Sequence, residues 1–300
     1  MASTAEQLAA NLNFGAMGKA AELKKRIWFT LGALIIYRLG TFIPIPGIDP
    51  VIMQEIFQQN TGGILGMFDM FAGGALGRMT IFALNILPYI SASIIMQLMT
   101  AISPKFEQLK KEGEQGRKKI NQYTRYGTVI LAAVQGYGIA VGLESMTSSQ
   151  GSAVIDPGAF FRITTVITLT SGTVFLMWLG EQVTARGVGN GISLIIFAGI
   201  VANLPSALVA TLELGRTGAL SALFIVFLLV AMVALITFVV FVERAQRRII
   251  VQYPKRQSGN KMFGGESSHI PLKINTSGVI PVIFASSLLL LPITLANFSA

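Results

Sequence analysis

The chain has 300 residues, of which 52% are hydrophobic and only 12% are charged, and its formal net charge is +9. A soluble globular domain usually carries about twice that charged fraction, so the composition argues against an ordinary water-soluble domain and indicates a membrane protein. The sequence has no cysteine, which excludes disulfides and thiolate chemistry.

The first residues lack the order of charged, apolar and small residues that marks a cleaved signal peptide. Residues 3–23 are weakly amphipathic, with Leu8, Leu12 and Phe14 among polar neighbours. This pattern is compatible with a helix on the membrane surface, and a frayed tail is an equal alternative.

Seven segments are long and apolar enough to cross a membrane, which takes about 20 residues. The sixth is the clearest, whereas proline, glycine or polar residues interrupt the first and the last. In chain order, the predicted spans are 25–45, 80–101, 126–146, 160–181, 192–212, 219–242 and 276–297. We therefore predict an all-α integral membrane protein, built as a multi-span helical bundle.

Basic residues alternate between the predicted loops. The segment before span one and the loops that follow spans two and six are rich in Lys and Arg, whereas residues 146–159 contain neither. Because basic loops stay on the cytoplasmic side, the N-terminus and these loops should be cytoplasmic. Their length exceeds what joining two helices requires, which favours docking of a partner, with flexible solvated loops as the alternative.

One region does not fit a simple span. Residues 61–78 read TGGILGMFDMFAGGALGR, too rich in glycine for a stable isolated helix and too apolar for an ordinary solvated loop. Non-helical backbone at membrane depth is tolerated where it is buried in protein or lines water. The segment is therefore either a re-entrant or interfacial loop packed on protein, or a mobile element that can enter and leave a cavity.

Motifs for enzyme chemistry are lacking in the sequence. No nucleotide-binding GxxxxGK[ST] motif occurs, and GVGNG at 187–191 lies between two apolar segments, which predicts a tight turn between helices. His269 is the only histidine and has no neighbours at metal-ligand spacing. We predict no catalytic residues, metal or cofactor. Arg38 and Glu181 lie near span ends, where we expect helix-end or packing contacts rather than an ion relay.

The longest motifs carry a family resemblance. In chain order they read FIPIPGID, MFDMFAGGALGRMTIFALNILPYISASIIMQL, KKEGEQGRKKINQYTRYGT, MWLGEQVTARGVGNGISLIIFAGIV, FVVFVERAQRRI and HIPLKINTSGVIPVIFASS. Together they resemble the bacterial SecY family of protein-conducting channels along essentially the whole chain. That family has ten spans in two five-span halves arranged like a clamshell. The present sequence stops after the seventh, which we interpret as truncation.

The resemblance implies the organisation of the chain. Residues 1–24 correspond to an N-terminal cytoplasmic segment, 25–215 to the five-span N-terminal half with a re-entrant plug, and 216–300 to the start of the C-terminal half. The last region includes the basic cytoplasmic loop 243–275. The implied location is a bacterial cytoplasmic membrane, with several spans and a cytoplasmic N-terminus.

The resemblance also implies roles for individual residues. The pore ring would consist of Ile86, Ile90, Ile192, Ile196 and Ile283. The plug at 62–77 would include Gly62, Leu65, Met67, Phe68, Phe71 and Gly74. The lateral gate would include Pro88, Gln97, Gln135, Asn275 and Pro281, with the two prolines interrupting spans two and seven. The docking loop would use Arg244, Arg247, Arg248, Lys255 and Arg256.

The implied function is that of the central subunit of the Sec translocon, which passes unfolded polypeptides across the membrane and releases hydrophobic segments into it. The implied partners are the SecE and SecG subunits, the SecA motor, the ribosome, signal peptides with nascent chains, and membrane lipids. Two other classes stay open: a secondary solute transporter with discontinuous helices and a purely structural membrane scaffold.

The orientation leads to a labelling prediction. Because the native chain has no cysteine, single cysteines can replace Gln115, Gln150 and Gln257 without background. A membrane-impermeant thiol reagent, applied to intact cells stripped of their outer membrane, should label position 150 and leave positions 115 and 257 unlabelled. Labelling at 257 under those conditions would overturn the orientation.

Overall fold

The computed structural model of the chain describes residues 21–59, 69, 72–148, 151–252, 256–258, 261–263 and 267–276. These residues divide into two compact units, with the boundary between Pro205 and Ser206. The seventh predicted span lies outside the described residues. So do Gly62, Leu65, Met67, Phe68, Phe71, Lys255, Pro281 and Ile283.

The first unit is helical. Its helices are α1 Ala21–Gly40, α2 Pro50–Gln59, α3 Leu87–Ile102, α4 Pro104–Lys111, α5 Glu114–Ser145, α6 Ala159–Arg186 and α7 Gly191–Ala202. Two short antiparallel strands, β1 Thr147–Ser148 and β2 Gly151–Ser152, join α5 to α6. Helix α2 begins after Asp49, whose carboxylate accepts the Val51 N–H at 2.9 Å, an N-cap contact that satisfies an orphan donor.

The second unit contains two helices and two β-hairpins. Helix α8, Leu204–Arg216, starts at the unit boundary, and α9 is Ala222–Arg244. Strand β3 Gln246–Gln252 pairs antiparallel with β6 Ser267–Lys273, and β4 Arg256–Ser258 pairs with β5 Lys261–Phe263. The region expected to be a cytoplasmic loop therefore contains paired strands.

Within the described residues, four helical segments are long and apolar enough to cross a membrane: Glu114–Ser145, Ala159–Arg186, Gly191–Arg216 and Leu223–Arg244. They coincide with predicted spans three to six, so the chain is a multi-pass membrane protein. Span one corresponds to α1, a helix of 20 residues that keeps basic residues at both ends. Span two is shorter than predicted, because α3 has 16 residues and bends by 98° into α4.

The bend between α3 and α4 follows from a proline. Pro104 opens α4, and Ser103 before it is extended, with φ −97° and ψ 122°. A residue before proline is sterically excluded from the helical region, so α3 must end there. Helix α4 therefore leaves the direction of α3 instead of prolonging it.

Two ion pairs close the ends of the antiparallel α5–α6 hairpin. At one end, Arg125 donates to both carboxylate oxygens of Glu181, at 3.0 and 2.7 Å. At the other end, Arg162 donates to Glu144 at 2.9 and 2.6 Å, and the Gly158 N–H donates to the same carboxylate at 3.0 Å. The expectation that Glu181 makes a helix-end contact is confirmed.

The described residues of the first unit form two hydrophobic cores. One lies at the Glu144 end of the hairpin and includes Met53, Leu143, Val154, Phe161 and Leu169. The other packs α1 and α7 against the second half of α6, and its fully buried members include Ile86, Leu176, Val183 and Ile195. The second core contains residues of the implied pore ring.

The Glu144–Arg162 pair gives a stability prediction. Arg162→Gln leaves a carboxylate that is only 11% exposed without its cation, and a largely enclosed carboxylate that loses its partner is destabilising. Lys111→Gln removes the same charge from the Lys111–Glu107 pair, whose side chains are 73% and 54% exposed, and such pairs contribute little. We expect the first variant to lower Tm of the purified protein by roughly 2–4 °C and the second to leave it nearly unchanged. Equal shifts would contradict this assignment.

Candidate functional site

The segment before α3 is not helical. Residues 73–79 and 81–86 form turns, and two residues other than glycine, Met79 and Asn85, have positive φ angles of 44° and 50°. Such conformations persist where surrounding contacts enforce them, and they concentrate at functional sites. This segment carries the end of the implied plug and leads directly into the first implied pore residue.

Hydrogen bonds fold the described end of the implied plug onto itself. The Asp69 carboxylate accepts the Gly77 N–H at 2.7 Å, and its backbone carbonyl accepts the Gly74 N–H at 3.0 Å. The following residues join the chain after α1, where the Ile45 N–H donates to the Met79 carbonyl at 3.0 Å. The end of the implied plug is thus held in a defined position.

Two arginines flank the same aromatic ring beside this segment. The guanidinium carbons of Arg38 and Arg78 lie 4.9 and 4.4 Å from the centre of the Phe42 ring, a distance suited to cation–π attraction. Arg38 also donates to the Gly73 carbonyl at 2.9 Å. The expected packing role of Arg38 is confirmed, and its contact with the implied plug could not be read from the sequence.

Gly73 also makes a close backbone contact. Its φ of 67° favours glycine, and a Cβ placed on it would lie 2.9 Å from the Gly199 carbonyl oxygen and 3.0 Å from the Gly199 α-carbon. A side chain at position 73 would therefore push against the backbone of α7. This contact joins the implied plug to the helix that carries Ile192 and Ile196.

A tight turn positions α7 itself. The Asn190 side chain caps the helix by accepting the Ile192 N–H at 3.1 Å, and the Thr30 hydroxyl of α1 accepts the Val188 N–H at 3.1 Å. The prediction of a tight turn at 187–191 is confirmed. It fixes the start of α7 relative to α1 and α6.

The structure gathers most of the described ring isoleucines. Ile86 is fully buried, while Ile90 and Ile192 are half-buried and pack against the same core. The Ile90 N–H donates to the Ile86 carbonyl at 3.1 Å, which places these residues one turn apart. Ile196, half-buried, follows Ile192 by one turn of α7. Their role in a pore remains a prediction.

The implied gate residues lie on separate elements. Gln97 is exposed on α3, Gln135 is half-buried on α5, and α3 and α5 pack together. Asn275 is exposed after β6 in the second unit.

Span two is interrupted as expected, but the break precedes the proline: α3 begins at Leu87, and Pro88 lies in its first turn. A proline there removes an N–H that would have no helical partner, so it does not kink the helix.

The described members of the implied docking set lie at the end of α9 and in two β-hairpins instead of a loop. Arg244 ends α9, Arg247 and Arg248 lie in β3, and Arg256 lies in β4. The side chains of the first three are exposed. The β-branched run Ile249 to Val251 was the sequence signal for a strand. It was overlooked because basic residues surround it and favoured a loop.

No metal centre is evident in the described ranges, where no group of three or more His, Asp or Glu side chains could hold an ion. The structure shows an open cavity of about 350 Å³ on one face of α5. It is lined by Lys118, Asn121, Gln122, Arg125 and Tyr126. This polar and basic lining offers no ligand set for a cation.

Comparison with known sequences gives one family. The SecY family model matches residues 80–300. The chain is 59% identical over 278 residues to the protein translocase subunit SecY of Rickettsia typhi and 56% identical over 283 residues to that of Escherichia coli K12. It covers 64% of the length of both relatives, which themselves match 93% and 94% of this chain. The SecY of Buchnera aphidicola is 55% identical and is covered over 79% of its length.

Solved structures share the fold. A protein-conducting channel superposes with a TM-score of 0.60 at 19% identity, over 89% of this chain and 56% of its own. A SecY structure described by its plug domain gives a TM-score of 0.61 at 19% identity, over 92% and 59%. Sec61 in a canine ribosome–channel complex gives a TM-score of 0.57 at 19% identity, over 89% and 56%.

The contact between Gly73 and Gly199 leads to a prediction with a matched control. Gly73→Ala and Gly74→Ala both place a Cβ on a residue with positive φ, which costs about 1–2 kcal/mol. In Gly74→Ala the nearest atom is the flexible Arg78 Nη2 at 3.1 Å, whereas in Gly73→Ala it is backbone of α7. We expect Gly73→Ala to lower Tm more than Gly74→Ala. Gly32→Ala, with nothing within 4 Å, should not lower it. A Gly74→Ala loss as large as that of Gly73→Ala would argue against the α7 contact.

Proposed function

The chain belongs to the SecY family, and we propose that it forms part of a channel that passes unfolded polypeptides across a bacterial cytoplasmic membrane and releases hydrophobic segments into the lipid. The observation that carries this proposal is the 59% identity to a protein translocase subunit SecY over 93% of the chain. The basic loops support a cytoplasmic N-terminus.

An apolar constriction suits a channel for many substrates. A pore that must pass nearly any polypeptide cannot bind one strongly, and isoleucine side chains offer neither charge nor hydrogen bonds. A narrow apolar ring also excludes water and thereby blocks ions. The convergence of Ile86, Ile90 and Ile192 on one core supports such a ring.

The glycine-rich segment is proposed as a second barrier. Its described end is tethered through Asp69, Arg38 and Gly73, so movement would involve the residues that precede this tether. One structurally similar SecY is described as having a plug domain that stabilises the closed state and maintains a membrane seal. We propose the same role for residues 62–77.

A sideways exit is proposed at the seam between spans two and seven, with span three beside it. Gln97 on α3 and Gln135 on α5 would weaken an otherwise apolar contact there. Asn275 and Pro281 are proposed for the same gate, and Pro88 would mark the start of its helix α3. Signal peptides and membrane segments would leave through this seam into lipid. The short α3 supports the proposal, because a helix of 16 residues makes fewer apolar contacts than a full span.

The proposed partners follow from the family. SecE and SecG would complete the membrane complex, and the SecA motor or a ribosome would dock on the basic ribbon with the nascent chain in the pore. A ribosome is supported by the canine channel, whose structure is a ribosome–channel complex. We assign the protein no enzymatic activity.

A secondary solute transporter is the less favoured alternative. Coupled transporters place ion and substrate sites near the middle of the membrane. Within the described part of the first unit, the charged residues of α5 and α6 that form ion pairs between the two helices lie toward the hairpin ends. Uptake of a labelled small solute that depends on an ion gradient would favour the transporter.

The constriction can be tested by its resting leak. Replacing Ile90 and Ile192 together with Ser in the full-length protein should admit water and convert a silent channel into one with measurable current, because the barrier depends on the absence of polar groups. Deleting residues 62–77 as well should increase the current further. The measurement is single-channel current in planar bilayers, without substrate.

Two controls make the leak experiment decisive. The combined changes Ile90→Val and Ile192→Val keep the surface apolar, so a channel that carries both should leak less than the Ser variant. Val201→Ser introduces the same hydroxyl on α7 at an exposed position and should remain silent. If the double Ser variant stays as silent as the unmodified channel, with and without residues 62–77, these isoleucines are ordinary core.

A further inference from the structure

The pairing of β3 with β6 separates two adjacent arginines. Arg247 pairs with Leu272, and Arg248 pairs with Pro271. Paired residues of an antiparallel ribbon share a face, and successive residues along a strand point to opposite faces. Arg247 and Arg248 therefore belong to opposite faces of this ribbon, although they are neighbours in the sequence.

One face is basic. We call it the basic face, and its members are Gln246, Arg248, Ile250, His269, Pro271 and Lys273. Arg248 lies diagonally across from both His269 and Lys273, positions that are about 7–8 Å apart in such ribbons. All three side chains are exposed. Within the described residues, neither Arg248 nor Lys273 forms an ion pair with a carboxylate, so their charge is available to an outside partner.

The other face is largely apolar. We call it the apolar face, and its members are Arg247, Ile249, Val251, Ser268, Ile270 and Leu272. Ile249, Ile270 and Leu272 are 45%, 52% and 46% exposed. Arg247 stands beside these side chains at the end of the ribbon next to α9. A hydrated phosphate brought against this face would lose water without gaining partners from the isoleucines.

Given the proposed docking of a ribosome on this ribbon, we infer that RNA phosphates bind the basic face through Arg248 and Lys273, and that Arg247 makes no phosphate contact. A guanidinium group and an ammonium group that have no acidic partner among the described residues can form charge-assisted hydrogen bonds with phosphate oxygens. The ribbon presents one face at a time to a large surface, so a single docked RNA meets one of the two arginines.

The test measures how binding depends on salt. Full-length protein in neutral-lipid nanodiscs is titrated with purified ribosomes that carry no nascent chain, over a potassium chloride series. Each lost phosphate contact reduces the slope of log K against log salt by about 0.7–0.9. We expect that reduction for Arg248→Gln and for Lys273→Gln, and an unchanged slope for the matched control Arg247→Gln.

The outcomes separate this inference from the docking proposal. If a variant with both Arg247→Glu and Arg248→Glu binds as tightly as the unmodified protein at every salt concentration, docking on the ribbon is wrong. If that variant binds weakly but Arg247→Gln flattens the slope as much as Arg248→Gln, docking stands and the assignment to one face is overturned. If the Arg248→Gln effect requires anionic nanodiscs, the basic face binds lipid headgroups instead of RNA.

Discussion

The arrangement of helices in the first unit depends on the free-energy cost of placing a charged side chain in the hydrocarbon core of the membrane. Residues 125 and 144 of α5, and residues 162 and 181 of α6, are separated by the same interval, which at 1.5 Å per residue is about 28 Å. That length matches a hydrocarbon core of about 30 Å, and residues 126–143 and 163–180 carry no charge. Because both ion pairs must sit at the edges, they fix the register of the two helices. Helices α3 and α7 pack on this hairpin, so the hairpin also sets their depth in the membrane.

The turns before α3, whose backbone is not helical, approach α6 of this hairpin at Gly172. A polar backbone group at membrane depth needs a partner within the protein, and the turns before α3 find theirs locally or in the chain after α1, as when the Ile81 N–H donates to the Ile43 carbonyl at 3.0 Å. Gly172 of α6 allows this approach, since a Cβ there would overlap the Ile81 carbonyl. These bonds and the Arg38 contact with Gly73 hold the non-helical segment in place without a helix.

The sequence predicted the parts of the fold that rest on hydrophobic length and composition. Spans three to six, the turn at 187–191 and the packing roles of Arg38 and Glu181 could be read because each follows from local sequence. The start of α3 at Leu87 could not, since the turns before it depend on contacts with α6 and with the chain after α1. The β3–β6 ribbon was missed because register joins residues far apart in sequence, so the opposite faces of Arg247 and Arg248 appear only once the strands are paired.

Three isoleucines of the proposed seal, Ile86, Ile90 and Ile192, also belong to the second core or pack against it. Ile86 is fully buried in the core that includes Phe82 and Leu176, and Ile90 and Ile192 pack against that core. Fully burying one isoleucine side chain contributes about 1.5–3 kcal/mol. Because Ile90 and Ile192 are only half-buried, separating the three side chains to admit a polypeptide would cost roughly 3 kcal/mol or more. In the proposed channel, the free energy for opening would then come from binding, either of a docked partner or of an apolar signal segment that replaces the lost contacts with its own.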